Sequence, residues 1–152
     1  MTSQTVRTPR QVFDEMIRAT TSGDWESFVA LYPDDAVIEM PFAPPGVPVV
    51  SDGVAMRERI MGMLDRGRPW NFDAAENVTV HETTDPEVIV AEYTLRGTIA
   101  ATGAPLELSY AMVITVRGGQ IVHSRDYGNP LAASAALGRL ADVVAAYQEA
   151  AA

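Results

Sequence analysis

Four strand-like segments follow one another in the second half of this chain, and they limit the possible folds more than any other feature. Each segment is rich in β-branched, aliphatic and aromatic residues, and turn residues separate each from the next. Such turns connect antiparallel neighbours, and the length of the two middle segments favours a strongly curved sheet. The segments span 70–81, 87–100, 106–116 and 121–127, with turns at Asp85-Pro86, Thr102-Gly103 and Gly118-Gly119.

Helical patterns lie on both sides of these strands. Thr8 and Pro9 are typical of a helix N-terminus, and apolar residues then recur at helical spacing as far as Ser22-Gly23. Asp24 and Asp52 are suitable N-caps for two more helices. We therefore predict an α+β fold in which helices pack on one face of an antiparallel sheet. The other predicted elements are a short strand at 36–40, a rigid Pro-rich loop at 41–46 and a closing helix at 131–147.

The length and the ends of the chain favour one domain. The 152 residues contain no visible repeat or linker, so we predict a single domain over 1–152 whose ends, 1–8 and 148–152, fray. The first eight residues lack the apolar segment of a signal peptide, and no apolar run approaches the ~18 residues that a membrane span needs. We therefore expect a cytoplasmic protein that does not bind membranes.

Charge and composition exclude several function classes. The 20 acidic and 11 basic residues give a net charge of -9, which disfavours nucleic acid and anionic membranes as partners. The chain has no Cys, so a disulfide framework and a Cys nucleophile are excluded. With two His residues, a multi-His metal site is not expected. The remaining candidates for a partner are a small apolar molecule and a second copy of the chain.

Three segments, at 22–37, 40–46 and 119–131, carry motifs whose order and spacing resemble the SnoaL-like proteins of the nuclear-transport-factor-2-like (NTF2-like) superfamily, over roughly residues 12–138. The resemblance implies a cone, in which a curved sheet and helices enclose an apolar pocket and acid and base residues act without a metal or organic cofactor. It also implies a homodimer formed through the outer face of the sheet. The segments are 22–37 (beginning Ser22-Gly23-Asp24-Trp25), 40–46 (Met40-Pro41-Phe42-Ala43-Pro44-Pro45-Gly46, with Asp52-Gly53 after it) and 119–131 (ending Asp126-Tyr127-Gly128-Asn129-Pro130-Leu131).

Ketosteroid isomerases of this superfamily use three groups that the chain lacks. The general base, the oxyanion Tyr and its Asp partner fall on or near Met40, Met16 and Ala111. The resemblance therefore does not extend to steroid isomerisation by that mechanism.

Limonene epoxide hydrolases, also of this superfamily, share one catalytic position with the chain. The last Asp of their Asp, Arg, Asp triad matches Asp126 within Arg125-Asp126-Tyr127. The other Asp and the Arg fall on Leu95 and Tyr93, so the triad is incomplete.

The phenazine-biosynthesis A/B proteins match best near the C-terminus. Their Arg-Glu-Phe and Asn-Pro-Phe motifs and a later Ala-Leu-Gly resemble residues 125–131 and Ala136-Leu137-Gly138. In that family the carboxylate of the motif acts as an acid/base residue, and Asp126 is its counterpart. The family's pocket His falls near Ile60, so a phenazine precursor is not the expected substrate.

Asp126 is thus the main catalytic candidate. Strand alternation places Val122, Ser124 and Asp126 on one face and residues 121, 123, 125 and 127 on the other. Facing an apolar cone, Asp126 would have a raised pKa and would exchange a proton near neutral pH. The alternative is that Asp126 pairs with Arg125 or caps the turn before Asn129.

Two further residues are candidates for assisting Asp126. Tyr93 lies in mid-strand, where its phenol would bind a substrate oxygen, and otherwise it is a packed aromatic residue. Glu39 ends the first strand. If its side chain faces inward, it forms an acid/base pair with Asp126; the alternative is an exposed side chain at the strand end. His81 and His123 are more simply explained as surface residues. The residues expected to bind substrate, with ordinary core packing as the alternative, are Trp25, Tyr32, Phe42, Ile60, Trp70 and Met112.

The sequence therefore predicts a cofactor-independent cyclase or isomerase that acts on an apolar, oxygenated natural-product intermediate. Asp126 would be the general acid/base, with Tyr93 and Glu39 assisting. The alternatives are an epoxide hydrolase with an altered triad and a non-catalytic domain that binds a ligand or serves as a dimer scaffold.

Overall fold

The α+β order predicted from the sequence is confirmed in a computed structural model, which describes residues 6–152. The predicted fraying of residues 1–5 lies outside these residues. The elements are α1 (Pro9–Ser22), α2 (Trp25–Ala30), β1 (Val37–Glu39), β2 (Val50–Ser51), α3 (Gly53–Asp65), β3 (Trp70–Glu82), β4 (Val88–Ile99), β5 (Pro105–Arg117), β6 (Gln120–Gly128), α4 (Pro130–Ala136) and α5 (Leu140–Ala151).

The first three helices begin at the side chains that the sequence indicated. Thr8 and Gln11 form a capping box at the start of α1. Asp24 accepts a hydrogen bond from the backbone N–H of Ser27, and Asp52 accepts one from that of Ala55. Gly23 ends α1 with φ 72°, a left-handed conformation that Gly adopts without steric strain. These caps fix the positions of α1, α2 and α3 over the sheet.

The six strands form one sheet in the order β2-β1-β6-β5-β4-β3. All pairs are antiparallel except β1 and β6, so the predicted antiparallel sheet contains one parallel pair that the sequence did not indicate. Parallel pairing is possible here because helix α3 and four strands, β2 to β5, connect β1 to β6. The two-residue strand β2 was not predicted, since it follows directly on the Pro-rich loop.

A bulge in β6 interrupts the predicted alternation of side chains between the two faces of the strand. Val116 pairs with Ile121 and Thr115 pairs with His123, so Val122 is the extra residue. Ile121 is consequently fully buried and lies on the same face as Ser124 and not on the opposite face. After the bulge the alternation is regular, and Asp126 shares the inner face with Ser124.

The C-terminal segment forms two helices where the sequence predicted one. Gly138, with φ 69°, separates α4 from α5. Helix α5 continues to Ala151, so residues 148–151, which were expected to fray, are helical. No residue of α5 is buried, and the Ala-rich composition alone gave no sign of the break.

The core lies between the concave face of the sheet and the helices. Val12 and Phe13 of α1 are completely buried, and Phe13 contacts Tyr93 of β4 with ring centroids 5.6 Å apart. Ile114 of β5 is also completely buried on the inner face. At ~25 cal/mol per Å² of apolar surface, this burial is the main source of stability. The same packing leaves a cavity beside the core, between α1, α2, α3 and the sheet.

Gly97 of β4 lies so close to the backbone of β3 that the position has no room for a Cβ atom. A Cβ atom at this position would lie 1.8 Å from the backbone oxygen of Asn71 and 2.8 Å from the Cα of Phe72. We expect Gly97→Ala to lower the free energy of unfolding by about 1–3 kcal/mol, because the two backbones must separate. Urea unfolding measures this. Gly62→Ala is the matched control, because its Cβ meets only the guanidinium of Arg66 and helix α3 favours Ala. Equal stability of both variants would contradict the assignment.

Candidate active site

An apolar cavity of about 250 Å³ lies between the first three helices and the concave face of the sheet. Its wall consists mostly of aromatic, aliphatic and methionine side chains. The polar groups of its lining residues are few: one carboxylate, one guanidinium, two hydroxyls, three phenols and two indole N–H groups, from Asp126, Arg59, Thr20, Ser124, Tyr32, Tyr93, Tyr110, Trp25 and Trp70. Few polar groups converging in an apolar pocket are typical of a ligand site.

Five of the six residues expected to bind substrate line this cavity: Trp25, Tyr32, Ile60, Trp70 and Met112. Phe42 does not line it. The side chain of Phe42 is 58% exposed on the Pro-rich loop and packs edge-on against Tyr127, with ring centroids 5.5 Å apart. The sequence could not indicate this, because the contact with Tyr127 forms only in the folded protein.

Asp126 faces this cavity. It lies opposite Met112 in the β5–β6 ladder, and its Oδ1 atom is buried with no hydrogen-bond partner. Burial away from water raises the pKa of Asp126 to about 6. No ion pair joins Asp126 to Arg125, and it is Asn129 whose side chain caps α4. The carboxyl is therefore the one acidic group among the described residues lining the cavity.

Three tyrosines surround Asp126. Burial raises the pKa of Tyr32, Tyr93 and Tyr110, and the charge of Asp126 raises each of them further. The hydroxyl of Ser124 partly opposes the shift at Tyr32, although it makes no hydrogen bond of ordinary geometry. All three phenols therefore keep their protons at neutral pH and remain hydrogen-bond donors.

Two of these phenols point at sulfur, which is a weak acceptor. The hydroxyl of Tyr93 donates to the Sδ of Met112 at 3.0 Å, and that of Tyr32 donates to the Sδ of Met16 at 3.8 Å. A donor that has only a thioether as partner exchanges it readily for an oxygen acceptor. The cavity thus presents phenol donors beside one carboxylate.

Glu39 lies on the other face of the sheet and does not reach the cavity. Its Oε1 is 3.1 Å from the Nε2 of His123, and both side chains are partly exposed. In the β1–β6 ladder Glu39 is level with Arg125, whereas Ile38 is level with Ser124 on the inner face. The expected pairing of Glu39 with Asp126 is therefore corrected: alternation along the short strand β1 places them on opposite faces.

Sequence patterns did not identify Tyr110 as a site residue. They placed Ser124 on the same face of the strand as Asp126 but did not indicate that it belongs to the site. Tyr110 is two residues before Met112, so the same alternation could have placed it in the cavity. Tyr110 stacks on Tyr93, directly opposite in the β4–β5 ladder, with ring centroids 5.4 Å apart and planes at 21°.

Three surface grooves are larger than the interior cavity: one of about 320 Å³ along helix α1, and two of about 710 and 960 Å³. Of the last two, one runs beside Thr8 and the β3–β4 turn, and the other lies between Phe42 and helix α5. None of these grooves is lined by a residue whose buried side-chain N or O atom lacks a hydrogen-bond partner. Three residues with such an atom, Trp25, Ser124 and Asp126, line the interior cavity. The interior cavity is therefore the better candidate for a site.

Among residues 6–152 no cluster of three or more His, Asp or Glu side chains is placed to hold a metal ion. Within the same residues, none of the helices combines the length and apolar character that crossing a bilayer requires.

A curved sheet closed by helices around an apolar cavity is the architecture of NTF2-like folds. The fold matches an NTF2-like protein of Anabaena variabilis with a TM-score of 0.57 at 18% identity, covering 79% of this chain and 85% of the other. Within this class the chain belongs to the SnoaL-like family, because the model of the SnoaL-like domain matches residues 13–124.

Individual relatives agree with this assignment. The chain is 35% identical over 116 residues to the uncharacterized protein YesE of Bacillus subtilis, covering 76% of this chain and 77% of the relative. It is 31% identical over 130 residues to an uncharacterized PhzA/B-like protein of Pseudomonas aeruginosa, covering 85% and 89%. The crystal structure of a proposed isomerase from Bacillus subtilis superposes with a TM-score of 0.76 at 29% identity, covering 86% and 92%.

Proposed function

We propose that this protein is a cofactor-independent enzyme that moves a proton within an apolar, oxygenated small molecule, in a cyclisation or an isomerisation. The observation that carries the proposal is the environment of Asp126, a carboxyl with an unpartnered buried oxygen and a pKa of about 6, in an apolar cavity with three phenol donors. A general base is most effective when its pKa lies near the working pH.

The first chemical step follows from this arrangement. The Asp126 carboxylate takes the proton from a carbon next to a substrate carbonyl, and the electron pair of that C–H bond moves to the carbonyl oxygen, giving an enolate. If a C=C bond is conjugated with this enolate, returning the proton to the far carbon of that bond shifts the double bond and completes an isomerisation. If the same molecule carries a second carbonyl, attack of the enolate carbon on it closes a ring and breaks the C=O π bond, and the resulting alkoxide takes the proton back from Asp126. Both outcomes begin with the same proton transfer.

Tyr93 would stabilise the charge that this step creates. Its hydroxyl exchanges the Sδ of Met112 for the substrate oxygen, and a phenol donates more strongly to an enolate than to a ketone. Because the pKa of Tyr93 is raised well above its ordinary value, the proton stays on the phenol. The role proposed here for Tyr93 is therefore hydrogen bonding and not proton transfer. Glu39, on the other face, has no role in the proposal.

An epoxide hydrolase with an altered triad is less well supported. The two positions that would carry the remaining Asp and Arg, Leu95 and Tyr93, do line the cavity, but neither side chain can activate water as a carboxylate does.

Deuterium incorporation into an apolar ketone tests the proposal. β-Tetralone is a suitable probe, since it is apolar and carries an acidic C–H beside its carbonyl. In deuterated buffer near pH 7 we expect the wild-type protein to exchange this position faster than buffer containing an equal concentration of acetate, as followed by proton NMR. Tryptophan fluorescence reports binding independently, because both Trp residues of the chain line the cavity. Binding of the probe without exchange above the acetate rate would favour the non-catalytic alternative.

A further inference from the structure

A second apolar chamber lies on the far side of Asp126 from the cavity described above. Its volume is about 220 Å³, and it lies beneath the Pro-rich loop and helix α4. Apolar side chains that line it include Phe42, Pro44, Val47, Leu108 and Ala133, so Phe42, which the sequence predicted to bind substrate, lies here and not in the first cavity. We refer to it as the outer chamber, and to the 250 Å³ cavity as the inner chamber.

The two chambers meet at three residues. Met40, Tyr110 and Asp126 line both of them, so these side chains form the partition. Met40 is flexible and unbranched, which makes it a partition that a ligand can displace. Asp126 is therefore accessible from either chamber.

Gly128 keeps space open at this partition. It follows Asp126 by two residues on the same face of β6 and lines the outer chamber. A Cβ atom at position 128 would lie 3.0 Å from the ring of Tyr110 and 3.6 Å from the Oδ1 of Asp126. Any side chain here would crowd the passage between the phenol and the carboxylate.

The volumes indicate what the two chambers hold. Ligand pockets generally have volumes of roughly 300–1,000 Å³, so each chamber alone falls below that range, whereas the two together fall within it. An apolar cavity of roughly 150 Å³ accepts one benzene ring. Each chamber is therefore large enough for about one ring or a short alkyl chain. Water is a poor occupant of the outer chamber, because it requires polar partners and the wall is mostly apolar.

We propose that the outer chamber is a second substrate subsite, and that the substrate has two apolar parts joined at the carbon on which Asp126 acts. This inference rests on the proposed function and extends it to the class of substrate. One apolar part lies in the inner chamber among Trp25 and Trp70, and the other lies beneath the Pro-rich loop. The reacting carbon is thus internal to the molecule, with the carbonyl close to the phenols.

A pair of ketones tests the subsite by binding alone. Cyclohexyl methyl ketone has one ring. Cyclohexylmethyl cyclohexyl ketone has two, one attached to each end of its CH₂–CO unit. Quenching of Trp25 and Trp70 fluorescence gives the dissociation constant of each in the inner chamber. For the wild-type protein we expect the two-ring ketone to bind about 10–100-fold more tightly, as burial of one further ring implies.

Filling the outer chamber should remove this preference. Ala133→Leu in α4 and Val47→Phe, directly after the Pro-rich loop, each place bulk in the outer chamber, and the two positions lie in different elements. We expect either variant to lower the preference at least fivefold while leaving the affinity for the one-ring ketone unchanged within about twofold. The controls are Ala135→Leu and Val49→Phe, which add the same bulk at neighbouring exposed positions outside the chamber.

Each outcome decides the inference. If both filling variants retain the wild-type preference, or if the wild-type protein shows no preference, the outer chamber is not a subsite. If both weaken the one-ring and two-ring ketones equally, the effect is on the whole protein and the inference is again wrong. Because the readout is binding, a failure of the β-tetralone exchange leaves this result intact and contradicts only the proposed chemistry.

Discussion

Replacing Asp126 by Asn should lower the rate of proton exchange about 10²–10⁴-fold. The amide is nearly isosteric with the carboxylate but cannot accept the substrate proton, and loss of a general base has an effect of this size. The wild-type rate should rise with pH through about 6 and then level off, since the ionised form is the active base. The measurement is the rate of deuterium incorporation into β-tetralone, taken across this pH range for both proteins. In the variant the inflection should disappear.

The matched control for this prediction is Glu39→Gln. Glu39 is a carboxylate on the neighbouring strand, but it faces His123 on the outer side of the sheet. We expect its replacement to leave the exchange rate within about threefold of wild type. Tyr93→Phe separates the two roles in the site: it should lower the plateau rate about 10–100-fold and leave the inflection near pH 6 in place. An Asp126→Asn variant that retains a third or more of the wild-type rate would remove Asp126 from the mechanism.

Local sequence patterns were sufficient to predict most of the fold. Thr8, Asp24 and Asp52 satisfy the free N–H groups of a helix start, a requirement of the backbone that does not depend on tertiary structure. The four long strands were also found, because their turns have residues that favour reversal of the chain. The family resemblance then supplied the cone, which no local pattern specifies.

The errors arose where tertiary contacts override a local pattern. The bulge at Val122 depends on the pairing of β6 with β5, so strict alternation misplaced Ile121. Glu39 was a candidate only if it faced inward, and the sequence left its face open, because that face is fixed by the parallel register of β1 on β6. The break at Gly138 lies inside an Ala-rich segment whose helical propensity is high on both sides.

The candidate site was predictable only in part for the same reason. Asp126 could be found from one motif and the period of one strand. Its environment depends on three tyrosines that come from α2–β1, β4 and β5 and meet only in the folded protein. The raised pKa of Asp126 is a property of this shell, since burial is its cause, and no spacing in the sequence encodes it.

Stability should depend on pH through Asp126 in a direction that is unusual for a carboxylate. Its pKa in the folded protein, about 6, lies above the value of about 3.9 expected in the unfolded chain. The folded state therefore binds the proton more tightly, and the stabilisation is fully present below about pH 4 and is lost as the pH rises through 6. The difference corresponds to about 3 kcal/mol, since one pKa unit is about 1.4 kcal/mol.

The Asp126→Asn variant isolates this contribution from the other titrating groups. Urea denaturation gives the free energy of unfolding of the variant minus that of wild type. This difference should increase by about 2–3 kcal/mol in favour of the variant between about pH 4 and pH 8, because the amide never ionises. Ser124→Ala, on the same inner face, has no ionisable group and should differ from wild type by the same amount at both pH values. A difference between Asp126→Asn and wild type that is constant with pH would mean that Asp126 is solvated. It would then have no raised pKa with which to act as a base near neutral pH, so this measurement tests the mechanism without any substrate.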